Sequence, residues 1–219
     1  MMLIRRMVRG NEHHRSRLHT ERGQLLPRLA WGDVAEALVA RASGQPSSSP
    51  WMAPAAVRFL EAALGREQSL LEFGAGDSTS WFAERTGRVV SLETDPSWFD
   101  EVTENLRSRK ISNCDLRKTN PEDLLSVVRD LPDESYDVVV IDALDPDRRL
   151  RPALAQVSQS KVKPGGMILL DDSDRPEYGV VEQWLAGWPV RRFTGFKRLP
   201  LTAVETSIYT RPGMATNQR

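Results

Sequence analysis

The chain has 219 residues, of which 40% are apolar and 27% charged, and its 30 basic side chains balance its 30 acidic ones. This composition is typical of a soluble globular protein with one large domain, and the balanced charge gives no overall positive field to attract nucleic acids or anionic membranes. The single cysteine, Cys114, excludes an internal disulfide and a Cys-rich metal site, and it predicts a reducing, cytoplasmic environment. No apolar run approaches the roughly 20 residues that span a membrane, so we expect no membrane partner.

The first 50 residues predict an extension that precedes the main domain. Residues 1–27 are rich in arginine and hold all three histidines of the chain, which are His13, His14 and His19. This segment is either a loosely held extension or an arm that covers the active site or joins a homodimer. Apolar residues at helical spacing predict a helix over 28–42, and SGQPSSSP (43–50) is typical of a linker.

From residue 51 onward, short apolar runs alternate with helical stretches. A helix over 51–64 comes first, and the runs typical of strands lie at 70–73, 89–92, 115–117, 136–141 and 167–170. Further helices are predicted at 78–86, 96–109, 121–130, 148–160 and 176–187. Near-continuous apolar strands suit a parallel sheet covered on both faces, so the alternation predicts an α/β fold with a doubly wound sheet. Two final runs, 190–196 and 203–209, predict an antiparallel hairpin; the main domain would occupy 51–211 and the tail 212–219.

The stretch LLEFGAGDST (70–79) joins the first strand to a helix through a glycine-rich turn. Gly74 and Gly76, on either side of Ala75, allow a tight reversal and let a ligand approach the backbone. The residues that follow favour the start of a helix: Asp77, Ser78 and Thr79. A strand, a glycine turn and a helix N-terminus together are typical of a nucleotide-binding site.

Two carboxylates and one hydroxyl distinguish this turn from a dinucleotide site. The fingerprint G-x-G-x-x-G needs a third glycine beside the pyrophosphate, but Thr79 stands there. Glu72, just before the turn, suits a cationic ligand better than a phosphate. Glu93 ends the next strand, about 20 residues further on, where an acidic side chain can bind both hydroxyls of a ribose. The sequence therefore predicts a site for a ribose next to a positive or charge-balanced group.

Five motifs follow one another in order: LLEFGAGDS (70–78), SLETD (91–95), KTNPEDL (118–124), YDVVVIDA (136–143) and VKPGGMILLDD (162–172). This ordered set resembles the class I S-adenosylmethionine-dependent methyltransferases of the Rossmann-like, small-molecule type. The resemblance covers about 50–210 of the chain. It implies a mostly parallel seven-stranded sheet with an antiparallel last strand, and S-adenosylmethionine as the cofactor.

The resemblance also implies which residues contact that cofactor. The acidic residue and glycines of the first motif frame the methionine part, the second motif holds the ribose, and the third falls where the family holds the adenine. Trp51, in WMAP, packs near the methionine end or simply staples the start of the following helix. The implied cofactor-binding residues are Glu72, Gly74, Ala75, Gly76, Ser78, Glu93, Thr94, Asn120, Asp142 and Trp51.

Methyl transfer to a hydroxyl requires in-line displacement and the removal of a proton. Histidine is the usual base near neutral pH, yet none follows His19. The base is therefore a carboxylate, a metal-bound hydroxyl or a histidine of the N-terminal arm. Three carboxylates follow the fourth and fifth predicted strands, whose ends converge on the ligand crevice, and they are the candidate catalytic residues: Asp142, Asp171 and Asp172.

The same three carboxylates, Asp142, Asp171 and Asp172, are candidate metal ligands. They resemble the set that holds Mg²⁺ in catechol-type O-methyltransferases, and Mg²⁺ prefers oxygen ligands. The asparagine of that set is replaced here by Asp172 and Ser173. The alternative is that Asp142 contacts the substrate or cofactor and that Asp172 or Ser173 caps a helix.

The predicted function is S-adenosylmethionine-dependent methyl transfer to the hydroxyl oxygen of a small molecule. One alternative is a protein of the same fold that binds the cofactor without turnover. Another is a methyltransferase of RNA or protein, for which the arginine-rich residues 1–27 are the only sign. Three arginines after the fourth strand either favour an anionic acceptor or form a solvated helix start: Arg148, Arg149 and Arg151.

Overall fold

The computed structural model describes residues 12–43, 49–198 and 201–213. The beginning of the predicted N-terminal arm (1–11), most of the predicted linker (44–48) and the end of the predicted tail (214–219) lie outside the described residues.

Seven α-helices and seven β-strands lie in the described part of the chain. The helices are α1 (Trp31–Ser43), α2 (Pro54–Ala63), α3 (Asp77–Ala83), α4 (Pro96–Ser108), α5 (Leu124–Asp130), α6 (Leu150–Ser158) and α7 (Val180–Trp184). The strands are β1 (Ser69–Phe73), β2 (Arg88–Glu93), β3 (Cys114–Lys118), β4 (Tyr136–Ile141), β5 (Val162–Leu170), β6 (Val190–Lys197) and β7 (Thr202–Thr210). Across the described ranges, every helix is too short or too polar to cross a membrane.

The seven strands form one sheet in the order β3-β2-β1-β4-β5-β7-β6. Neighbouring strands from β3 to β5 are parallel. β7 is antiparallel to both β5 and β6, so β6 runs in the same direction as the parallel strands. The predicted doubly wound, mostly parallel sheet with an antiparallel last strand is therefore confirmed. The carboxyl ends of β1, β2, β4, β5 and β6 all lie on the same side of this sheet, at the ends of the strands. We call this side the carboxyl edge.

Helices cover both faces of the sheet. On one face, α5 and α6 contribute buried residues such as Leu124 and Leu154. On the other face, Leu60 of α2 and Phe82 of α3 pack against the strands. Because the central strands are covered on both sides, they are mostly apolar, and β4 has four consecutive buried apolar residues, 138–141.

The described N-terminal residues pack against the β6–β7 edge of the sheet. Val34 of α1 and Phe196 of β6 belong to one apolar cluster. The Ala203 N–H of β7 donates to the Arg17 carbonyl oxygen at 2.7 Å. Residues 12–43 therefore contact β6 and β7 close to the carboxyl edge.

Most elements lie within three residues of their predicted bounds, and two differ more. β5 begins at Val162 rather than 167, because the KPGG run continues the strand through a register shift opposite β4. The helix predicted over 176–187 is instead a 3-10 turn, Pro176–Gly179, followed by the five-residue α7.

Candidate active site

The glycine turn after β1 lies against the end of β4. Gly74 has a φ of 90°, and a Cβ on it would lie 2.5 Å from the Asp142 carbonyl oxygen, so only glycine fits. Gly76 has an extended backbone and no atom within 4 Å of an added Cβ. Its N–H donates to the Thr79 hydroxyl at 3.0 Å at the start of α3. The first glycine is thus required by packing, whereas the second leaves open space above the turn.

Glu72 lies beneath the turn and is not exposed. The hydroxyls of Ser78, Thr79 and Ser91 donate to its carboxylate at 2.5, 2.7 and 2.6 Å. Burial raises the pKa of Glu72 to about 7, although these hydroxyls act to lower it. Thr79 therefore links Glu72 to the Gly76 N–H, which explains why a hydroxyl residue stands in place of a third glycine. The contact of Glu72 with a cofactor stays a prediction.

Glu93 holds the other side of the turn from the end of β2. One carboxylate oxygen accepts from the Ala75 N–H at 2.6 Å. The other accepts from the N–H groups of Thr94 and Asp95 at 2.7 and 2.6 Å. Because a carboxylate oxygen accepts more than one hydrogen bond, these contacts orient Glu93 and leave acceptor capacity for the hydroxyls of a ligand.

A small cavity of about 90 Å³ lies above the glycine turn. It is lined by Trp51, Gly74, Ala75, Gly76, Asp77, Ser78, Trp98 and Asp142. The rings of Trp51 and Trp98 meet edge to face with their centroids 6.3 Å apart, and Trp51 also hydrogen-bonds to Asp77. Ligand cavities are usually about 300 Å³ or larger, so the cavity is small for a nucleoside-sized ligand while the two tryptophans are in contact.

A larger cavity of about 670 Å³ lies between α1, residues 49–54, the start of α2 and the end of β6. Its apolar walls include Val39, Trp51, Met52, Pro54, Val57 and Phe196, and its charged residues are Asp33, Glu36, Arg58 and Arg198. Burial raises the pKa of Asp33, although Arg58 at 3.5 Å acts to lower it. This volume is in the usual range for a ligand cavity, and Trp51 lines both cavities.

Asp142 follows β4 and faces the small cavity, with 28% of its side chain exposed. The Arg151 guanidinium of α6 lies 2.7 Å from the Asp142 carboxylate. The same guanidinium donates to the carbonyl oxygens of Ala143 and Asp171 at 2.7 and 3.1 Å. Arg151 is therefore a buried link between β4 and β5, and the prediction of a solvated helix start was wrong for this residue.

The buried Asp145 carboxylate fixes the start of α6. It accepts the N–H groups of Arg149, Leu150 and Arg151 at 2.9, 3.0 and 3.0 Å. The Tyr178 hydroxyl donates to it at 2.9 Å. Burial acts to raise the pKa of Asp145, but these hydrogen bonds outweigh it and lower the pKa. This cap sets the position from which Arg151 reaches Asp142.

Asp171 and Asp172 follow β5, and Lys197 at the end of β6 binds both of them. Its Nζ lies 2.5 Å from Asp171 Oδ2 and 2.6 Å from Asp172 Oδ1. The Thr206 hydroxyl donates to Asp171 Oδ1 at 2.8 Å, and Arg175 donates to Asp172 Oδ2 at 2.8 Å. Burial raises the pKa of Asp171. Burial acts likewise on Asp172, but its cationic neighbours, led by Lys197, hold its pKa below the usual range.

These ion pairs do not fit the predicted Mg²⁺ site. Each of the three proposed ligands is bound by a lysine or an arginine: Asp142, Asp171 and Asp172. Within the described ranges, no group of three or more His, Cys, Asp or Glu side chains is arranged to hold a metal ion. Mg²⁺ needs several oxygen ligands near-octahedrally placed, and these oxygens already accept hydrogen bonds from cations. The Mg²⁺ prediction therefore has no support in the structure.

The remaining predicted residues do not line the small cavity. Asn120 is exposed after β3, and its amide donates to Asp123 at 2.9 Å, so an adenine contact stays a prediction. In the described part of the chain, neither cavity is lined by a histidine. The His19 ring instead lies 2.7 Å from the Ser16 hydroxyl. Of the bases left open by the sequence, this arrangement favours a carboxylate.

Three residues of the site were missed by the sequence reasoning. Trp98 faces Trp51 from the first turn of α4, and its position four residues after SLET was the available signal. Arg151 was considered as a contact for an anionic acceptor or as part of a solvated helix start, and its pairing with Asp142 was missed. Lys197 stands at the end of a predicted strand, but its contact with the carboxylates depends on the direction of β6 in the sheet.

Residues 71–173 match a family model described as a methyltransferase domain. A search of curated proteins found no match. The matched residues run from β1 to the loop after β5, and they contain the glycine turn and the three carboxylates that follow β4 and β5.

Solved structures share this fold at low sequence identity. An O-methyltransferase from Bacillus cereus in complex with SAH is 20% identical, with a TM-score of 0.60 over 82% of this chain and 90% of that chain. The O-methyltransferase TomG from Streptomyces achromogenes, in complex with SAM, is 21% identical, with a TM-score of 0.57 over 85% and 91%. An rRNA methylase from Streptococcus thermophilus is 16% identical, with a TM-score of 0.53 over 71% and 93%.

The fold first defines an α/β protein with a doubly wound sheet, a class in which ligands usually bind at the carboxyl ends of the strands. The match of residues 71–173 then shows that this part of the chain is similar to a methyltransferase domain. This similarity agrees with the resemblance of the five motifs to the class I S-adenosylmethionine-dependent methyltransferases, and the solved structures share the Rossmann-like fold.

Proposed function

We propose that the protein binds S-adenosylmethionine at the glycine turn and transfers its methyl group to a hydroxyl oxygen of a small molecule. The observation that carries this proposal is that Trp51 is a wall of both cavities. A cofactor in the small cavity and an acceptor in the larger one would therefore meet beside this residue. Two of the similar structures, both O-methyltransferases with SAH or SAM, support the choice of cofactor and of oxygen.

The cofactor half of the proposal uses the residues around the glycine turn. Glu93, oriented by three N–H groups, accepts the ribose hydroxyls. The backbone at Gly74 and Gly76 approaches the methionine part, where no side chain intervenes. Asp142 faces the same cavity, beside the place proposed for the sulfonium, and its charge is paired with Arg151 at 2.7 Å.

The acceptor half of the proposal uses the larger cavity. Its walls are mainly apolar, which suits a flat or branched organic molecule rather than a polymer of charged units. Asp33 lies in this wall with only 6% exposure and can accept a hydrogen bond from a polar group of the acceptor. An acceptor with an apolar body and a few hydroxyl or amino groups therefore fits best.

The reaction follows from this placement. The acceptor oxygen attacks the methyl carbon as the carbon–sulfur bond breaks, and S-adenosylhomocysteine leaves with the electron pair on sulfur. The hydroxyl proton passes to a carboxylate, for which Asp142 is the candidate because it faces the cofactor cavity. Arg151 fixes the position of this carboxylate at 2.7 Å.

Two measurements test the proposal. Calorimetry with S-adenosylmethionine and S-adenosylhomocysteine should show saturable binding, and absence of binding of both at high micromolar concentration would overturn the cofactor assignment. Formation of S-adenosylhomocysteine should then be followed with a panel of phenols and aliphatic alcohols. Binding without turnover over the whole panel would favour the non-catalytic alternative of the same fold.

Replacement of Glu93 by Ala tests the ribose assignment. Because hydrogen bonds to a charged group contribute about 1.5–3 kcal/mol, we expect S-adenosylhomocysteine to bind roughly tenfold to a hundredfold more weakly in calorimetry. Glu104→Ala is the matched control, since Glu104 is an exposed carboxylate on α4 that pairs only with Arg107. Equal affinity in both variants would remove Glu93 from the site.

A further inference from the structure

Lys197 lies where the carboxylates of β4 and β5 converge. Since β6 runs parallel to β4 and β5, its last residue reaches the carboxyl edge beside Asp171 and Asp172. Only 8% of the Lys197 side chain is exposed, and its ammonium group binds one oxygen of each of these carboxylates. A single compact cation thus bridges two buried carboxylates, which is the arrangement that a metal ion would otherwise provide.

The charges around Lys197 are balanced without any further ion. Three cationic side chains face three carboxylates: Arg151, Arg175 and Lys197 against Asp142, Asp171 and Asp172. A divalent ion would add two charges to this buried group and would require the loss of an existing ion pair. Removing one partner of a buried ion pair leaves the other charge uncompensated, which is strongly unfavourable.

Each carboxylate oxygen of Asp171 and Asp172 also accepts at least one hydrogen bond. The second oxygen of Asp171 accepts from Thr206, and the second oxygen of Asp172 accepts from Arg175. Thr206 in turn accepts the Ala53 N–H at 3.1 Å, in the segment that carries Trp51. Lys197 therefore belongs to a continuous network that extends to the segment between the two cavities.

We propose that Lys197 is the built-in cation of this centre, occupies the position of a divalent metal ion and makes metal binding there unnecessary. It acts as a positioning residue, because it holds Asp171 and Asp172 in place and does not face the small cavity. The proposal does not rest on the proposed acceptor chemistry, since metal binding is measured without turnover.

The experiment compares Mn²⁺ binding, followed by electron paramagnetic resonance and calorimetry, in the wild type and in Lys197→Gln. We expect weak, non-saturable binding in the wild type and a gain of roughly tenfold or more in affinity in the variant, because the freed carboxylates become oxygen ligands. This gain should disappear in the double variant Lys197→Gln/Asp172→Asn. Lys163→Gln is the matched control, because Lys163 on β5 pairs with Asp137 at 2.8 Å, outside the cluster.

Two results would overturn the proposal. One is saturable Mn²⁺ binding by the wild type that is lost in Asp172→Asn. The other is a folded Lys197→Gln variant that binds Mn²⁺ no better than Lys163→Gln. If Lys197→Gln does not fold, thermal unfolding of the wild type with Mg²⁺ or Mn²⁺ decides, because a ligand of the native state raises Tm. An unchanged Tm supports the proposal, and a rise that Asp172→Asn abolishes contradicts it.

Discussion

At the scale of single residues, the two glycines of the turn have different physical roles. An alanine at Gly74 would need a φ near 90° and would place its Cβ 2.5 Å from the Asp142 carbonyl oxygen. We expect Gly74→Ala to lower the free energy of unfolding by about 2–4 kcal/mol in urea denaturation. Gly76→Ala is the matched variant, because nothing lies within 4 Å of its added Cβ. Gly76→Ala should lower the free energy of unfolding by less than about 1 kcal/mol. Equal decreases in the two variants would contradict the packing argument.

Glu72 makes the stability of the protein depend on pH. Its pKa is about 7 in the folded protein against an ordinary value of 4.5, so the folded state binds a proton more tightly in this interval. Its contribution to stability is therefore full below about pH 4.5 and is lost as the pH rises through about 7.

Glu72→Gln cannot titrate and should remove this dependence. Between about pH 5 and pH 8, the free energy of unfolding of the wild type should fall by up to about 3 kcal/mol relative to that of the variant, measured by urea denaturation. The exposed Glu104→Gln should show no such trend. A difference between wild type and Glu72→Gln that stays constant with pH would contradict the assigned pKa.

Single residues also show where sequence reasoning stops. Gly74 and Glu93 could be singled out because their local patterns, a glycine turn and an acidic strand end, carry their own physical reasons. Thr79 was recognised as a helix-start residue and as a departure from a fingerprint, but its link between Glu72 and Gly76 was not, since that link depends on a folded turn. The cofactor contacts of the site residues stay predictions.

At the scale of elements, the apolar runs predicted the four parallel strands β1, β2, β4 and β5 because these are buried on both faces of the sheet, whereas β3 has no fully buried residue. The start of β5 was missed, since KPGG reads locally as a turn and continues the strand only through pairing with β4. The helix predicted at 176–187 fails for a similar reason: the chain there makes a 3-10 turn in which the Tyr178 hydroxyl reaches Asp145. Tertiary contacts override the local pattern in both places.

The start of α6 offers a test at this scale. Asp145 is buried, and it accepts three N–H groups of this helix start and one hydroxyl. Asp145→Ala should lower the free energy of unfolding by about 2–4 kcal/mol, because these donors lose their partner in a buried place. Asp95→Ala is the matched control, since Asp95 caps α4 with two N–H groups at the surface, and it should cost about 1 kcal/mol. Equal costs would show that Asp145 acts only as an ordinary cap.

At the scale of the whole molecule, the order and direction of the strands decide which distant residues meet. Asp142, Asp171 and Lys197 come together because β4, β5 and β6 all end at the carboxyl edge. The sequence predicted the convergence of the two carboxylates, since both follow parallel strands. It could not predict the lysine, because β6 was expected only as half of a hairpin, and a hairpin alone does not say which edge its strand ends reach.

Trp51 lines both cavities and therefore lies between the two ligands of the proposed function. Its contact with Trp98 leaves only about 90 Å³ above the glycine turn. We therefore expect a cofactor to bind there when this contact is open, and such a requirement lowers the apparent rate of association.

Trp51→Ala should remove this requirement. We expect S-adenosylhomocysteine to associate several-fold faster in stopped-flow fluorescence, with the remaining tryptophans as the reporters. Trp31→Ala is the matched control, because Trp31 is similarly exposed at the start of α1 and lines neither cavity. Since the same side chain forms a wall of the larger cavity, its displacement by the cofactor would also reshape the place proposed for the acceptor. An association rate equal to that of the wild type would show that the Trp51–Trp98 contact does not limit entry, and the two cavities would then act independently.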